Sequence, residues 1–475
     1  MNTEYKQSLQ TSFAQLMSLD ELSNLLGGRL ISFSSDNGFS SVSIDSRSAC
    51  ANSVFYALNG TMCDGHKFVN AAFSAGASCA VVESSKINTF NIVNIAQNMG
   101  KNLIVVEDTL ASLQDSARVY LEKFDKLKKV GITGSAGKTM TKEITAAIIS
   151  CEKNTVMNKG NLNSETGLPL SVFEVRDHHE VGVFELGMNK TGEILKSANV
   201  LKPNIALITN IGSAHIEFFG SKDKILDEKI SIFNYLKKDD IALIPSKDEY
   251  AKKMAKAACT SGNIKFYSTE TIEEFEGTRS LGLNGTQIYF AGEKINFSLP
   301  GKHSLDDAIA AIAIAKEIPV SISAIKQGLE SVKPLFGRLQ VLKGRTTVIC
   351  DCYNANPEST AKAIEFCDSA EWKGRKIYVI ADMLELGEFA HNAHSELGSL
   401  LDASKADKIF LFGKEIKAAV NILKNKPYFY SENFDEVSAS LNSYVQKDDI
   451  VLLKGSRGCA LERLTDMLLG AVNVQ

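Results

Sequence analysis

Short apolar runs alternate with helical patterns along almost the whole chain. SVSID (41–45), SVFYAL (53–58), CAVVE (79–83) and LIVVE (103–107) read as strands, with a helical segment at KFVNAAFSAGA (67–77) between them. A helix is expected over TLASLQDSARVYLEKF (109–124), leading to the strand KKVGIT (128–133). Further strands are expected at VGVFELG (181–187), NIALITNIG (204–212) and DIALIP (240–245), and a stretch of hairpin character at 281–299. The helix HSLDDAIAAIAIAKEI (303–318) closes this region, and KPLFGR (333–338), with its Pro and Gly, marks a boundary. Beyond it, TTVICD, KIYVIAD, KIFLFG and DIVLLKG are separated by helical patterns, which predicts a second parallel sheet. The alternation argues for α/β architecture.

Length changes the picture by suggesting roughly three domains at ~150 residues each. Their expected spans are 1–107, 108–333 and 334–475 of the 475 residues. A net charge of -4 gives no reason to expect a nucleic-acid partner, which would favour a basic face. The N-terminal stretch MNTEYKQSLQTSFAQLM lacks the apolar core of a signal peptide, and the longest apolar run, AIAAIAIA at 308–315, is too short to span a bilayer. The nine cysteines are scattered and odd in number, as expected for reduced thiols in the cytoplasm. Cys350 and Cys352 form a bare C-x-C, which without a second pair is weak evidence for metal.

The candidate chemistry centres on GSAGKT, Gly134 to Thr139, between a strand and a helix. This is the context a phosphate-binding loop needs: backbone N–H groups at a helix N-terminus, a lysine for the outer phosphates and a hydroxyl for Mg²⁺. The strict P-loop spacing fails, because its first glycine would fall on Ile132, and the actual form is G-x-x-G-x-x-G-K-T from Gly131. The loop alone fits a nucleotide switch or motor, a kinase, or a ligase that activates an acid with ATP. Glu185 and His215 follow the ends of two other strands, so all three features are expected on one rim of the sheet. A carboxylate and an imidazole there can hold a divalent cation opposite a triphosphate. His391 and His394 lie one helical turn apart but have no third ligand, so a structural role is expected.

Taken together these residues resemble the Mur ligase family, ATP-dependent amide ligases that build the peptide of the peptidoglycan precursor. The resemblance covers nearly the whole chain. It rests on GITGSAGKTMTKE (131–143), FELGMNKTGEI (184–194), NIGSAHIEFFGS (210–221), the FGR at 336–338 and DCYNANPES (351–359). NANP at 354–357 and ADMLELGEFAHNAHSELG at 381–398 are similar to the branch that adds D-alanyl-D-alanine, and DSRSACANSVFYALNGTMCDGHKF (45–68) to the UDP-binding block of the tripeptide-accepting members. The resemblance implies an N-terminal UDP-binding α/β domain, a central P-loop ATPase domain with a mostly parallel sheet, and a C-terminal Rossmann-like domain. The implied substrates are ATP, UDP-MurNAc-tripeptide and D-Ala-D-Ala, joined through an acyl phosphate in a cytoplasmic monomer, with no nucleic acid and no membrane insertion.

Residue by residue, the resemblance implies that Gly134, Ser135, Ala136, Gly137, Lys138 and Thr139 cradle the phosphates, and that Thr139 and Glu185 take one Mg²⁺. His215 would hold a second Mg²⁺, and Lys229 matches the family lysine that becomes carbamylated, although Ser231 stands where the family carries an acid. Asn210, Asp307, Arg338 and Asp351 would face the nucleotide; Asp307, in the turn after His303, replaces the usual Asn. Ser46, Arg47, Asn59, Asp64, Gly65 and His66 would form the UDP end, with Asn161 and Asn163 also on the substrate side. Tyr353, Asn354 and Asn356 would line the meeting place of dipeptide and acyl phosphate, and Lys454, Ser456 and Arg457 would bind the dipeptide carboxylate. Closure of the last domain onto the ATP site is implied as well, with an open form free of ligand. Three rivals stay open: a family member using another amine, a phosphotransferase or switch, and a non-catalytic UDP-sugar-binding module. The first typically carries a D-N-P-R-like motif that is absent here.

Overall fold

A computed structural model describes residues 15–60, 63–259 and 262–470; residues 1–14 of the polar N-terminal stretch lie outside it. The chain divides into two compact units, and each is built around its own parallel strands.

The smaller unit comprises Met1–Leu127, Val156–Gly182 and Lys196–Lys202. Its five-stranded sheet runs in the order Arg29–Ile31, Asn102–Val106, Cys79–Glu83, Ser53–Tyr56 and Ser41–Ser43. The first pair is antiparallel and the others are parallel. Continuous apolar runs suit these strands because helices cover both faces of the sheet. Phe55, Val82 and Leu103 pack under Val69, Phe73 and Ile92. The helix Thr109–Glu122 belongs to this unit, although the sequence pattern places the boundary at 107. Its start is set by Asp108, which accepts hydrogen bonds from the N–H groups of Leu110 and Ala111, and the Tyr56 hydroxyl meets Ser116 Oγ at 2.7 Å.

The larger unit comprises Lys128–Thr155, Val183–Leu195 and Pro203–Gln475. It carries five strands of a six-stranded sheet, in the order Asn263–Tyr267, Ile241–Pro245, Ile205–Ile208, Lys128–Thr133 and Val181–Glu185. The helix Lys138–Ile149 packs against Lys302–Ala315 and Ile322–Ser331. Gly328 allows the last approach, since a Cβ there would stand 2.3 Å from Ile148 Cα. The stretch of hairpin character forms an antiparallel meander of Phe275–Ser280, Thr286–Phe290 and Glu293–Phe297. A second six-stranded sheet follows in the order Gln340–Lys343, Thr347–Asp351, Ile450–Lys454, Lys376–Ala381, Lys408–Phe412 and Tyr428–Ser431, parallel except for its first pair. The carboxyl ends of parallel strands, where such sheets collect ligands, are Thr133, Glu185 and Ile208 in one sheet and Asp351, Lys454 and Ala381 in the other. Among the described residues no helix is long and apolar enough to cross a membrane.

Candidate active site

The phosphate loop owes its shape to two glycines. Gly134 has φ +151° and Gly137 φ +81°, and a Cβ would stand 1.8 Å from Thr209 Oγ1 at the first and 2.1 Å from Asp307 Oδ1 at the second. The neighbouring strand end clamps the loop between them. The Asn210 amide accepts from the Ala136 N–H and donates to the Ala136 carbonyl, both at 3.0 Å, and Thr209 Oγ1 donates to that carbonyl at 2.6 Å. Ser135 Oγ accepts from Gly212 N–H at 2.8 Å and donates to Gly212 O at 3.2 Å. Asn210 thus acts by holding the loop.

Two lysines donate to one carbonyl oxygen. Lys138 Nζ lies 2.8 Å and Lys229 Nζ 2.9 Å from Gly134 O. Lys229 is 1% exposed, and burial, then the Lys138 charge, push its amine well below the usual lysine range, against the pull of Glu228 and Glu185. Burial also lowers Lys138; Glu185 opposes that shift and Arg338 adds to it. Glu185 ends its strand buried beside the loop strand, with Leu186 N–H donating to Ile132 O at 2.8 Å. Glu228 accepts from the N–H groups of Gly192 and Ile194, so the residue before Lys229 is anchored to the start of the helix Glu193–Leu201. Burial, then Asp306, push Asp307 well above the carboxylate range, which favours the neutral acid. Its Oδ1 accepts weakly from Thr141 Oγ1 at 3.4 Å.

His215 adopts φ +64° just before the short helix Ile216–Phe219. Its Nδ1 lies 2.6 Å from Glu385 Oε2. His215 thereby holds Glu385 below the usual carboxylate range. The hydroxyl of Thr139 and the carboxylate of Glu185 are hard oxygen donors that suit Mg²⁺, whereas an imidazole is a softer choice.

The last segment brings Arg338 to the loop. Arg338 Nη2 donates to Thr139 Oγ1 at 3.0 Å, and its guanidinium lies 4.2 Å from the centre of the Tyr353 ring. Asp351 is engaged inside the fold: it accepts from Leu339 N–H at 3.1 Å and pairs with Lys454 at 2.8 Å. Lys454 also donates to Asn354 O at 2.9 Å and is 2% exposed, so its charge is already used. Asn354 accepts from Ala355 N–H, and Asn356 caps the helix Pro357–Ser369 in a capping box with Ser359. Ser456 is buried and accepts from Leu384 N–H at 2.9 Å. Of the three strand-end residues expected to bind an anion, only Arg457 is exposed, paired with Glu462 and lying over Phe336. Burial, opposed by Asp351, pushes His303 down to about 4. His394 accepts from Met383 N–H at 3.0 Å and contacts Ala390 O, a structural role, while His391 is exposed. Cys350 and Cys352 are buried with their sulfurs 3.2 Å apart.

The smaller unit holds the remaining candidates. Arg47 is exposed and folds back on Asp45 at 2.6 Å, with Ser46 between them. Asn59 and Asp64 form an antiparallel bridge, and Gly65 N–H donates to Leu58 O at a place where a Cβ would meet that oxygen at 2.6 Å. His66 is buried: its Nε2 accepts from Glu83 N–H at 2.9 Å, so its proton sits on Nδ1 and faces Asp64 at 2.6 Å. Burial raises Asp64, but the His66 and Lys86 donors outweigh it and hold the carboxyl at about 2. Asp64 and His66 therefore brace the turn rather than offer free donors. Asn161 is exposed and Asn163 half-buried in the turn after the strand Thr155–Met157.

Sequence reasoning missed Thr209, Glu228, Glu358 and Glu385. The last two lie inside motifs already singled out, but which strand end their carboxylates reach is set by packing.

A family model of the Mur ligase middle domain matches residues 132–315, the Mur ligase glutamate ligase domain matches 337–457, and the Mur ligase family catalytic domain matches 39–120. The UDP-N-acetylmuramoyl-tripeptide–D-alanyl-D-alanine ligase of Treponema pallidum (strain Nichols) is 38% identical over 465 residues, 95% of this chain and 99% of that protein. The ligase of the same name from Bacillus subtilis (strain 168) is 33% identical, covering 90% and 93%. A crystal structure of MurF from Acinetobacter baumannii superposes with a TM-score of 0.85 at 28% identity, covering 96% and 99%. The MurF ligase of Thermotoga maritima in complex with ADP gives 0.76 at 27%, covering 90% and 97%.

Proposed function

The chain belongs to the Mur ligase family, and on that premise we propose that it joins D-alanyl-D-alanine to UDP-N-acetylmuramoyl-tripeptide at the expense of ATP. The product is the UDP-MurNAc-pentapeptide precursor of peptidoglycan. The observation that carries this reading is the convergence of Lys138, Lys229, Glu185 and Arg338 on one phosphate loop, in a chain that matches such ligases along nearly its full length.

The chemistry follows from the charges. A carboxylate is a poor electrophile and repels a triphosphate, so cations must offset that repulsion as they approach. A terminal carboxylate oxygen of the tripeptide attacks the γ-phosphorus, the bond to the β-phosphate oxygen breaks, and ADP leaves. The dipeptide amine then attacks the acyl-phosphate carbon, loses a proton, and the tetrahedral intermediate expels phosphate. Lys138 offsets charge on the transferring phosphoryl group, and Arg338 orients Thr139 from the last segment. Two Mg²⁺ ions would supply further charge neutralisation, one on Thr139 and Glu185 and one on His215.

The depressed Lys229 supports carbamylation. A deprotonated Lys229 amine would add to CO₂ and lose one proton, giving an anionic carbamate whose remaining N–H can still face Gly134 O. On the sugar-nucleotide side we assign Ser46, Arg47, Asn59, Asp64, Gly65, His66, Asn161 and Asn163, with Asp64 and His66 shaping the turn. On the dipeptide side we assign Tyr353, Asn354, Asn356, Lys454, Ser456 and Arg457, with Arg457 the exposed charge. Three domains, the first extended through the helix Thr109–Glu122, a cytoplasmic setting and a monomeric state complete the reading. The test is phosphate release from ATP with UDP-MurNAc-tripeptide, with and without D-Ala-D-Ala, with the product weighed by mass spectrometry. Release that needs both substrates, with a mass gain of the dipeptide less water, is expected. Release independent of any amine would favour a phosphotransferase.

A further inference from the structure

Glu358 sits in the first turn of the helix Pro357–Ser369, directly after its Asn356 cap and the NANP segment. Its carboxylate leaves that segment and reaches the loop after the strand Ile205–Ile208. Oε1 accepts from Ser213 N–H at 3.1 Å and lies 3.1 Å from Lys222 Nζ, and Oε2 accepts from the Ser213 hydroxyl at 2.7 Å. Burial opposes the charge of Glu358, yet the Ser213 and Lys222 donors hold its carboxyl below the usual range. One residue before Ser213, Gly212 exchanges two hydrogen bonds with the Ser135 hydroxyl of the phosphate loop. Gly212 is wedged between the two sides: a Cβ there would lie 3.3 Å from Glu358 Cδ and 3.4 Å from Ser135 Cβ. A continuous polar path therefore runs from the helix that follows the dipeptide motif, through Glu358, Ser213 and Gly212, to Ser135.

We infer that Glu358 is a positioning residue that couples the amine side of the site to the phosphate loop. With its carboxylate seated, Ser213 and Gly212 hold Ser135 in register; without it, the strand-end loop is held from one side only. The inference rests on the ligase reading, because only a ligase must assemble nucleotide and amine together. Charge-assisted hydrogen bonds are strong and directional, and because the Glu358 side chain is 38% exposed, water can satisfy its donors once it is removed but cannot hold them in register. The coupling acts on both ligands by the same factor, since linkage is reciprocal.

The experiment measures the affinity of a non-hydrolysable ATP analogue by calorimetry with and without saturating D-Ala-D-Ala, in the full chain and in Glu358→Ala, Glu358→Gln and Ser213→Ala. The parent chain is expected to bind the analogue about tenfold tighter with the dipeptide present, a typical coupling. Glu358→Ala is expected to bring that ratio close to one and raise the KM for ATP about tenfold at saturating dipeptide. Its melting temperature should stay near that of the parent, and the double variant with Ser213→Ala should be no worse than Glu358→Ala alone. Glu358→Gln, which keeps the side-chain length and one acceptor, should lie between and serves if the alanine variant folds poorly. A purely structural role would lower the melting temperature and leave the ratio intact, overturning the inference. A parent ratio of one, or multiplicative losses in the double variant, would overturn it too. If the parent chain makes no amide from the three substrates, the ligase reading itself falls; amide formation with an unchanged ratio in Glu358→Ala sinks only the coupling.

Discussion

Two amines aimed at Gly134 O cannot both be comfortable as cations, and burial decides that Lys229 gives way. Lys229→Met is therefore expected to keep or raise the melting temperature, because it replaces a buried polar amine, 1% exposed, with an apolar side chain, while kcat falls by a factor on the order of 10² or more. Calorimetry and the phosphate-release assay check both halves. If carbamylation is real, activity at low pH after removal of CO₂ should drop and return on adding bicarbonate; a rate indifferent to bicarbonate would reject it. Asp64 offers a second case. Its folded pKa of about 2 lies below the ordinary 3.8, so folding favours the carboxylate. The stabilisation, about 2 kcal/mol, is complete above the ordinary value and is lost as the pH falls through the folded one. Urea midpoints of Asp64→Asn and the parent should differ at pH 7 and converge toward pH 2. D-G-H was legible as a motif, but the burial of His66, which turns it into a brace, comes from the strand Cys79–Glu83 packing above it.

The strand–loop–helix around GSAGKT could be read directly, because the glycine spacing and Lys-Thr at the helix start encode local backbone geometry. Gly137→Ala places a methyl within 2.1 Å of Asp307 Oδ1 at a φ of +81°, so loss of measurable ADP binding in calorimetry is expected, with the rest of the fold retained. The helix Pro357–Ser369 separates capping from contact. Asn356→Ala should cost about 1 kcal/mol in chemical denaturation by removing the cap, whereas Asn356→Asp keeps an oxygen in place and should restore stability. Full activity in Asn356→Asp would confine this residue to capping; restored stability with a raised KM for the dipeptide would put it in contact with substrate. The helix Thr109–Glu122 shows what pattern alone misses. Its periodicity is clear, but the sheet it joins is settled by Ser116 and its apolar neighbours docking beneath Tyr56.

Across the whole chain, residues that sequence separates widely meet at the phosphate loop and its neighbouring strand end: Arg338 reaches Thr139, and Glu358 reaches Ser213. If the last segment closes on the phosphate loop during turnover, the small-angle scattering radius should fall when an ATP analogue and the sugar nucleotide are added together. An unchanged radius would count against closure. Sedimentation should give a particle near 51.6 kDa with and without substrates, and a stable dimer would refute the monomer reading. The α/β class, the phosphate loop and the family resemblance were all written in local order: apolar runs of strand length, turn glycines and contiguous motifs depend on neighbours a few residues away. The duties of individual side chains were not. Asp351 and Lys454 neutralise each other, Asn210 clamps a loop, Asn356 caps a helix and burial pushes the Lys229 amine well below the usual lysine range, because each outcome depends on atoms brought close by folding from distant parts of the chain.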